Sequence, residues 1–425
     1  MGKSRTIHAV LAADIGTTSL KAALIDMAAG GKRLLDFSRE TYKAGGGAAE
    51  GAGAAELWEA AFYHAVRVLR ERMPGVHIEA VCVSGNGPTL VPVTGNPHSG
   101  VSLPPLHWFS PVLPAASGAE AAVSFFLPRA AYFKENDPEN YAKTDLFLSC
   151  PEWLSVRLGA EAVTALPTPH YRPYYYDESQ FAAFSLDSRK FPPFVPLGVI
   201  TGHVSVEAAR RSGLPAGLPV VAGGPDFIMA LLGSAAIEPG LVCDRAGSSE
   251  GINVCVRKPP STADAAAHSL RVLPHAIAGL WNVSVVLPES GILFDRYRLE
   301  TGRQNIPYEE TLKEMVVTES GEARFHPTLQ KIADSVKAAL ETLRVAGYPV
   351  REMRHSGGQA KSPLWNRLKA NICGCTLLVP EIVDTELAGN TAAAMFALGE
   401  EPSIAAACQK IAVITERIEA PHSRE

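Results

Sequence analysis

No G-x-x-x-x-G-K-[ST] sequence occurs anywhere in the 425 residues, which excludes the P-loop route to a nucleotide. No apolar run reaches the roughly 20 residues of a membrane span, and the apolar stretch near the start meets Asp14 too early for a signal peptide. Basic charge is scarce: 39 Lys and Arg against 44 Asp and Glu leave a net charge of −5. The electrostatic footprint of a nucleic-acid binder is therefore missing. The densest basic groups are isolated pairs, Lys32-Arg33, Arg210-Arg211 and Arg257-Lys258, which read as solvated surface positions. The seven cysteines (82, 150, 243, 255, 373, 375 and 408) show neither pairing nor zinc spacing. Cys373-Gly374-Cys375 is too close for a C-x-x-C redox motif. Reduced thiols in a cytoplasmic protein are the expectation, with no nucleic-acid or membrane partner. Met1–Thr6 fits the myristoylation pattern and Asn282-Val283-Ser284 a glycosylation sequon; both patterns are short and are discounted.

What is present is an α/β pattern of two-domain length, taking roughly 150–200 residues per domain. Apolar runs predict strands at 7–14, 19–26 and 33–39, then a Gly/Ala-rich loop over 45–53. Ala54–Arg72 has helical spacing, with Leu57, Ala61, His64, Ala65, Val68 and Leu69 on one face and Met73-Pro74-Gly75 as its stop. Strands follow at His77–Val83 and Leu90–Val93, then an irregular Pro97–Pro114, and helices near 116–135 and 138–158. The Tyr-, Pro- and Phe-rich Pro167–Pro196 reads as loops covering a cleft. Gly217–Asp226 is strand then turn, with a helix from Phe227 to Ala236. The second part repeats the opening: strand, turn and hydroxyl-rich tip over Gly240–Ser249, then a strand over Glu250–Val256. Helices near 289–300, 308–316 and 327–346, a strand at 350–356 and helices at 361–373 and 386–398 complete it. The pattern implies two related α/β lobes facing a shared nucleotide, divided as 1–231 and 232–425.

Four segments carry chemistry. In Asp14-Ile15-Gly16-Thr17-Thr18-Ser19, a Gly turn between two strands lets backbone N–H groups approach an anion, and two Thr hydroxyls add donors. Asp14 supplies a hard oxygen for Mg²⁺. A plain hairpin with a polar tip is the alternative. Asp226, after Gly223-Gly224-Pro225, can orient an alcohol and take its proton in phosphoryl transfer; capping the helix that starts at Phe227 is its ordinary role. Gly247-Ser248-Ser249 makes a second phosphate grip or another hairpin turn. In Gly357-Gly358-Gln359-Ala360-Lys361-Ser362-Pro363-Leu364-Trp365-Asn366, small residues permit a flat ring or ribose against the backbone. Ser362 as N-cap and Pro363 at the first helical position explain the end of that phrase, but not its paired glycines.

Taken in order, these segments resemble the FGGY family of carbohydrate kinases, within the actin-like/hexokinase ATPase superfamily. Glu386, Ala388 and Gly389 match that family's last nucleotide-side helix. Each motif alone is short; five in order and at the right spacing span nearly the whole chain. The resemblance implies two RNase H-like lobes around a central cleft. It implies Asp226 as catalytic base and Asp14 as a Mg²⁺ ligand acting through water. Gly16, Thr17, Thr18, Gly247, Ser248 and Ser249 would hold the ATP phosphates; Gly357, Gly358, Gln359 and Asn366 would contact the adenosine. The family permits a homodimer. Within the family the chain is most similar to the xylulokinase-like pentulose kinases.

The acceptor side departs from that pattern. The turn after Ser84-Gly85 reads Asn86-Gly87-Pro88-Thr89 where xylulokinase-like members have Gln-Met-His-Gly. A Trp-x-Asp-x-Arg-type segment is replaced by His107-Trp108-Phe109-Ser110-Pro111, and Phe227 stands where a polar residue is usual. Between 300 and 350 the family's insertion is reduced to Gly321-Glu322-Ala323-Arg324 at most. Asn86, Thr89, His107, Trp108 and Phe227 are the acceptor-pocket candidates, simple loop packing being the alternative for His107 and Trp108. The expected activity is ATP- and Mg²⁺-dependent phosphorylation of a small sugar or polyol, with a pentulose foremost. The rivals are a degenerate nucleotide- or sugar-binding regulator without turnover, and an actin-like ATPase.

Overall fold

The protein is described from a computed structural model that covers residues 7–28, 32–42, 53–113, 123–319 and 322–420, with backbone alone at 317–319 and 322–324. The Met1–Thr6 acylation-like pattern, the Gly/Ala-rich run through residue 52, the first part of the helix expected near 116–135, and Gly321 lie outside the described residues. The chain forms two compact units. One contains residues 1–233 and 386–411, the other 234–385 and 412–425.

The first unit is built on a six-stranded sheet of β1 (Ile7–Ile15), β2 (Ser19–Asp26), β3 (Leu34–Thr41), β4 (Val76–Gly85), β5 (Ile200–His203) and β6 (Pro219–Val221), in the order β5-β6-β4-β1-β2-β3. β1–β2 and β2–β3 pair antiparallel, while β4 joins β1 and β6 in parallel. The second unit carries β7 (Val242–Ala246), β8 (Glu250–Val256), β9 (Arg271–Pro274), β10 (Trp281–Leu287), β11 (Glu352–Ser356), β12 (Thr376–Pro380) and β13 (Ile414–Ile418), in the order β9-β10-β8-β7-β11-β12-β13. Both sheets share one plan. An antiparallel third, second and first strand are followed by two strands parallel to the first: β3-β2-β1-β4-β6 in one unit, β10-β8-β7-β11-β12 in the other. Each unit thus opens on a hairpin whose tip holds one of the hydroxyl-bearing Gly turns.

β1 is buried from Ala9 to Ile15, the continuous apolar pattern of a strand covered on both faces. Successive side chains alternate faces. Ala9, Leu11, Ala13 and Ile15 pack with Trp58, Phe62, Val66 and Leu69 of the helix Ala54–Arg72, which leaves Asp14 on the opposite face. That helix has its expected ends, but its buried stripe is not the expected one. Leu57 and His64 are exposed, whereas Trp58, Glu59, Phe62, Tyr63, Ala65, Val66 and Leu69 are buried. The aromatic rings bury far more apolar area than Leu57 would and set the rotation.

On the opposite face, the helices Asp226–Gly233 and Thr385–Ala397 meet where Gly389 sits. A Cβ there would lie 2.0 Å from the Met229 carbonyl oxygen, so only Gly allows this approach.

The helix expected over 138–158 is three elements. A helix Pro138–Lys143 precedes a strand Leu146–Ser149, paired antiparallel with Leu90–Thr94, and a helix Cys150–Leu158 follows. The break is chemical: Pro151 takes the first turn, and Glu152 accepts from the Ser149 N–H at 2.8 Å in a capping box. Arg33, expected in solvent, is buried and donates to the Ala28 carbonyl at 2.8 Å. The Asn282 sequon lies in buried β10. All seven cysteines are free, Cys373 alone being half-buried. In the second unit, Val336, Ala339, Leu340 and Leu343 of the helix Pro327–Val345 cover Val242, Ile252, Val283, Met353 and Leu377 of the sheet.

Candidate active site

At the end of β1, Asp14 is buried, and Ser84 at the end of β4 lies beside it in register. Ser84 Oγ donates to Asp14 Oδ1 at 2.8 Å, and Asn390 Nδ2 donates to Ser84 Oγ at 2.9 Å and to the Ala13 carbonyl at 2.8 Å. Lys21 Nζ, across the hairpin on β2, is 3.9 Å from Asp14 Oδ2. Burial and the negative charge of Glu386 push the Asp14 carboxyl up to about 7; Lys21 opposes them, Asp226 adds to them, and the Ser84 bond opposes them. Asp14 is thus a buried carboxylate with two further carboxylates, Glu386 and Asp226, in electrostatic reach. That is the environment a divalent, oxygen-seeking cation suits.

Asp226 begins its helix and its Oδ1 accepts from the Phe227 N–H at 2.7 Å, which orients the carboxylate. A bridge between Gly85 and Pro225 sets the Asn86–Pro88 turn beside the Asp226 turn. Asn86 is buried; its Oδ1 accepts from Thr89 Oγ1 at 2.6 Å, and its N–H donates to the Ile15 carbonyl at 2.8 Å. The structure thus brings Asp14, Asn86, Thr89 and Asp226 to the same end of the first sheet. At the β1–β2 tip, Gly16, Thr17 and Thr18 are half-buried, and Trp108 Nε1 donates to Thr17 Oγ1 at 3.2 Å. His107 is buried, edge-on to Trp58 at 6.2 Å and stacked on Phe109 at 5.0 Å. Arg129 donates to the carbonyls of His107 (3.0 Å), Phe125 (2.6 Å) and Trp108, so a cation that sequence reasoning missed holds the 107–108 segment. Phe227 is half-buried.

In the second unit, Gly247, Ser248 and Ser249 are exposed at the β7–β8 tip. Gly291 and Ile292, at the start of the helix Ser290–Glu300, donate to the Ser248 carbonyl at 2.9 and 3.1 Å. Gly357, at φ +87°, follows β11 against β7, and a Cβ there would lie 2.5 Å from the Ala246 carbonyl oxygen; a Cβ at Gly358 would meet nothing within 4 Å. Gly357 is therefore demanded by packing, while Gly358 leaves open space. Ser362 caps the next helix by accepting from the Trp365 N–H at 3.1 Å, with Pro363 at the first position. Asn366 is buried, donates to the Ala360 carbonyl at 2.9 Å, and has no partner on Oδ1.

Beneath both motifs lies a charged cluster. Lys369 Nζ contacts Asp244 Oδ2 at 2.5 Å and Glu250 Oε1, and His355 Nδ1 is 2.7 Å from Asp244 Oδ2; all four side chains are fully buried. Ser290 Oγ donates to Glu250 Oε2 at 2.5 Å, Gln359 Nε2 donates to Ser290 Oγ at 2.9 Å, and Trp365 Nε1 donates to Gln359 Oε1 at 2.9 Å. Despite its burial, Asp244 is held well below the usual carboxylate range by Lys369 and His355. Burial pushes Glu250 up to about 7. The chain of bonds ties the hydroxyl-tipped hairpin to the turn at Gly357–Gln359. Of the residues expected to contact adenosine, Gln359 and Asn366 are thus engaged in holding this turn.

Comparison with known proteins follows the same lines. The N-terminal domain of the FGGY family of carbohydrate kinases matches residues 115–233 and the C-terminal domain matches 314–398. An autoinducer-2 kinase of Salmonella paratyphi A is 22% identical over 95% of this chain and 89% of its own. An L-fuculokinase of Salmonella typhi is 24% identical over 68% of each. The crystal structure of xylulose kinase from Rhodospirillum rubrum superposes with a TM-score of 0.71 over 98% of this chain and 95% of that one, at 16% identity.

Proposed function

Because the chain belongs to the FGGY family of carbohydrate kinases, with its actin/hexokinase-type ATPase fold, we propose that this ATP-dependent sugar kinase phosphorylates a hydroxyl of a pentulose-sized ketose or polyol in the cytoplasm. The observation that carries the reading is the meeting of Asp14, Asp226 and the Asn86–Thr89 turn at one end of the first sheet. Asp226 orients the acceptor hydroxyl and takes its proton as the oxygen attacks the γ-phosphorus, and the β–γ bridging oxygen leaves with ADP. The hairpin tips at Gly16–Thr18 and Gly247–Ser249 offer N–H and hydroxyl donors to phosphate oxygens, and Gly358 leaves room for the adenosine. Asp14 would hold Mg²⁺ through water, and the ion would supply charge neutralisation on the phosphates when bound. The acceptor side of the site is sparse in charge. Asn86 and Thr89 satisfy each other, and the 107–108 segment offers an indole already bonded to Thr17. Such a site selects a smaller or less hydroxylated acceptor than one lined by an acid and a base. We divide the lobes as 1–231, with the first phosphate motif and the catalytic Asp, and 232–425, with the second phosphate motif and the adenosine turn, residues 386–411 returning to the first unit.

The test is ADP release with Mg-ATP across pentuloses, hexuloses, aldoses and polyols. Acceptor-dependent release that disappears in Asp226→Asn establishes the kinase and its acceptor. ATP binding without stimulation by any acceptor supports a nucleotide-binding regulator instead.

A further inference from the structure

At the opposite end of β1 from Asp14, a second donor cluster forms. His8 on β1 and His77 on β4 are register partners, so their side chains stand together on one face of a parallel pair. Glu79, two residues after His77, returns to that face. The register slips here: Ala9 pairs with Ile78 and Val10 with Ala80, leaving Glu79 as the extra residue on β4. A bulge of this kind re-aims the side chain it carries. Glu79 Oε1 receives both imidazoles, His77 Nδ1 at 2.9 Å and His8 Nδ1 closer still. The imidazoles are more than half exposed, and their ring centroids are 5.5 Å apart. The bonds from His8 and His77 hold the Glu79 carboxyl below its ordinary range. Among the described residues, this is the one group of three His, Cys, Asp or Glu donors close enough to share an ion, its ligand atoms all within 4.8 Å of one another.

We propose that His8, His77 and Glu79 form a surface site for a borderline divalent transition metal, Zn²⁺ in the first instance. Two imidazole nitrogens and one carboxylate oxygen are the donor set of a three-ligand zinc site with water in the fourth position. Tetrahedral bonds of about 2.0–2.1 Å place ligand atoms roughly 3.3 Å apart, so Glu79 Oε1 would move slightly away from His77 Nδ1, now at 2.9 Å, within a cluster whose ligand atoms already lie inside 4.8 Å. The imidazoles favour zinc, copper or nickel over the hard cation suited to Asp14. His8 precedes Asp14 by six residues, about 20 Å of extended strand, so the two sites are separate. A bound ion would clamp the start of β1 to β4, the two strands whose far ends carry Asp14 and Ser84.

The experiment is calorimetric titration of tag-free, chelator-stripped protein with ZnCl₂, in buffer already containing millimolar Mg²⁺. One equivalent binding in the micromolar range is expected, with a weakening of at least tenfold in His77→Gln and in Glu79→Gln. Asp14→Asn should leave the isotherm unchanged. Thermal melts should show a zinc-dependent rise in Tm for the parent and none for His77→Gln, whose zinc-free Tm should match the parent's because the residue is exposed. Absence of saturable binding, or an isotherm unaffected by His8→Gln, His77→Gln and Glu79→Gln, would overturn the assignment.

Discussion

Replacing Lys369 with Met should destabilise the second unit by about 3–5 kcal/mol, the range for removing one partner of a buried ion pair. The ammonium lies 2.5 Å from Asp244 Oδ2 and also touches Glu250, with every partner fully buried. At an effective dielectric constant near 20, one such contact corresponds to about 6–7 kcal/mol of gross attraction. Most of that offsets the several kcal/mol each ion loses on leaving water. The net worth of the intact cluster is therefore small, while the penalty for removing only the lysine is large. Met keeps the stem's volume, so cavity effects stay minor. Asp244 retains His355, but Glu250 keeps only the Ser290 hydroxyl.

Calorimetry on the whole protein would record the loss as a downward shift of one transition, on the order of 10 °C for a unit of this size. The double variant Lys369→Met/Glu250→Gln should regain more than half of it, because only one buried carboxylate then remains and it keeps its hydrogen bond to His355. Nucleotide affinity should fall in the single variant and recover in parallel, since Glu250 connects through Ser290 and Gln359 to the Gly357 turn. A single variant within 1 kcal/mol of the parent, or a double variant no better than the single, would refute the reasoning.

Asp226→Asn should lower kcat by about 10²–10⁴-fold, the usual worth of a general base, with ATP affinity by calorimetry within twofold of the parent. Gly389→Ala should cost about 1–3 kcal/mol in chemical denaturation, because its methyl would stand 2.0 Å from the Met229 carbonyl oxygen; an unchanged midpoint would show that the two helices separate freely. His275, whose Nε2 lies 3.2 Å from the Ala236 carbonyl, is pushed down to about 4 by burial. The unfolded chain then takes the proton first, so this group's stability is present above about pH 6.5 and is lost as pH falls toward 4. His275→Gln should flatten the stability difference between pH 7 and 4.5 by about 2 kcal/mol, read from urea midpoints at the two pH values.

The parts of this molecule written in local spacing were readable from the sequence. The hairpin over residues 7–26, the ends of the helix Ala54–Arg72, and the Ser362 cap with Pro363 all follow from adjacent residues whose chemistry is decided within a turn or two. Leu146-Phe147-Leu148 was not readable, because an apolar run that short fits helix and strand alike; its pairing with Leu90–Thr94 decides it. Lys369 shares a helix with Trp365 and Leu368, and nothing nearby marks it as a buried cation. Its partners lie 125 and 119 residues away. Ser84 and Asn390 escaped notice for the same reason, since their value to Asp14 exists only once β4 and a helix from near the end of the chain stand beside β1.

That last dependence governs when the protein becomes whole. Asn390 closes on the Ala13 carbonyl across 377 positions, and Gly389 seats its helix against Met229. At about 5–20 residues per second of synthesis, Asp14 waits on the order of 20–75 s for the amide that braces its neighbour Ser84. During that interval the second unit's β7–β12 plan can assemble, while the first is held open by the want of one helix. A ribosome-bound chain ending before residue 385 should therefore expose the apolar face of Asp226–Gly233, and chaperone binding or proteolysis there would end as the helix Thr385–Ala397 emerges.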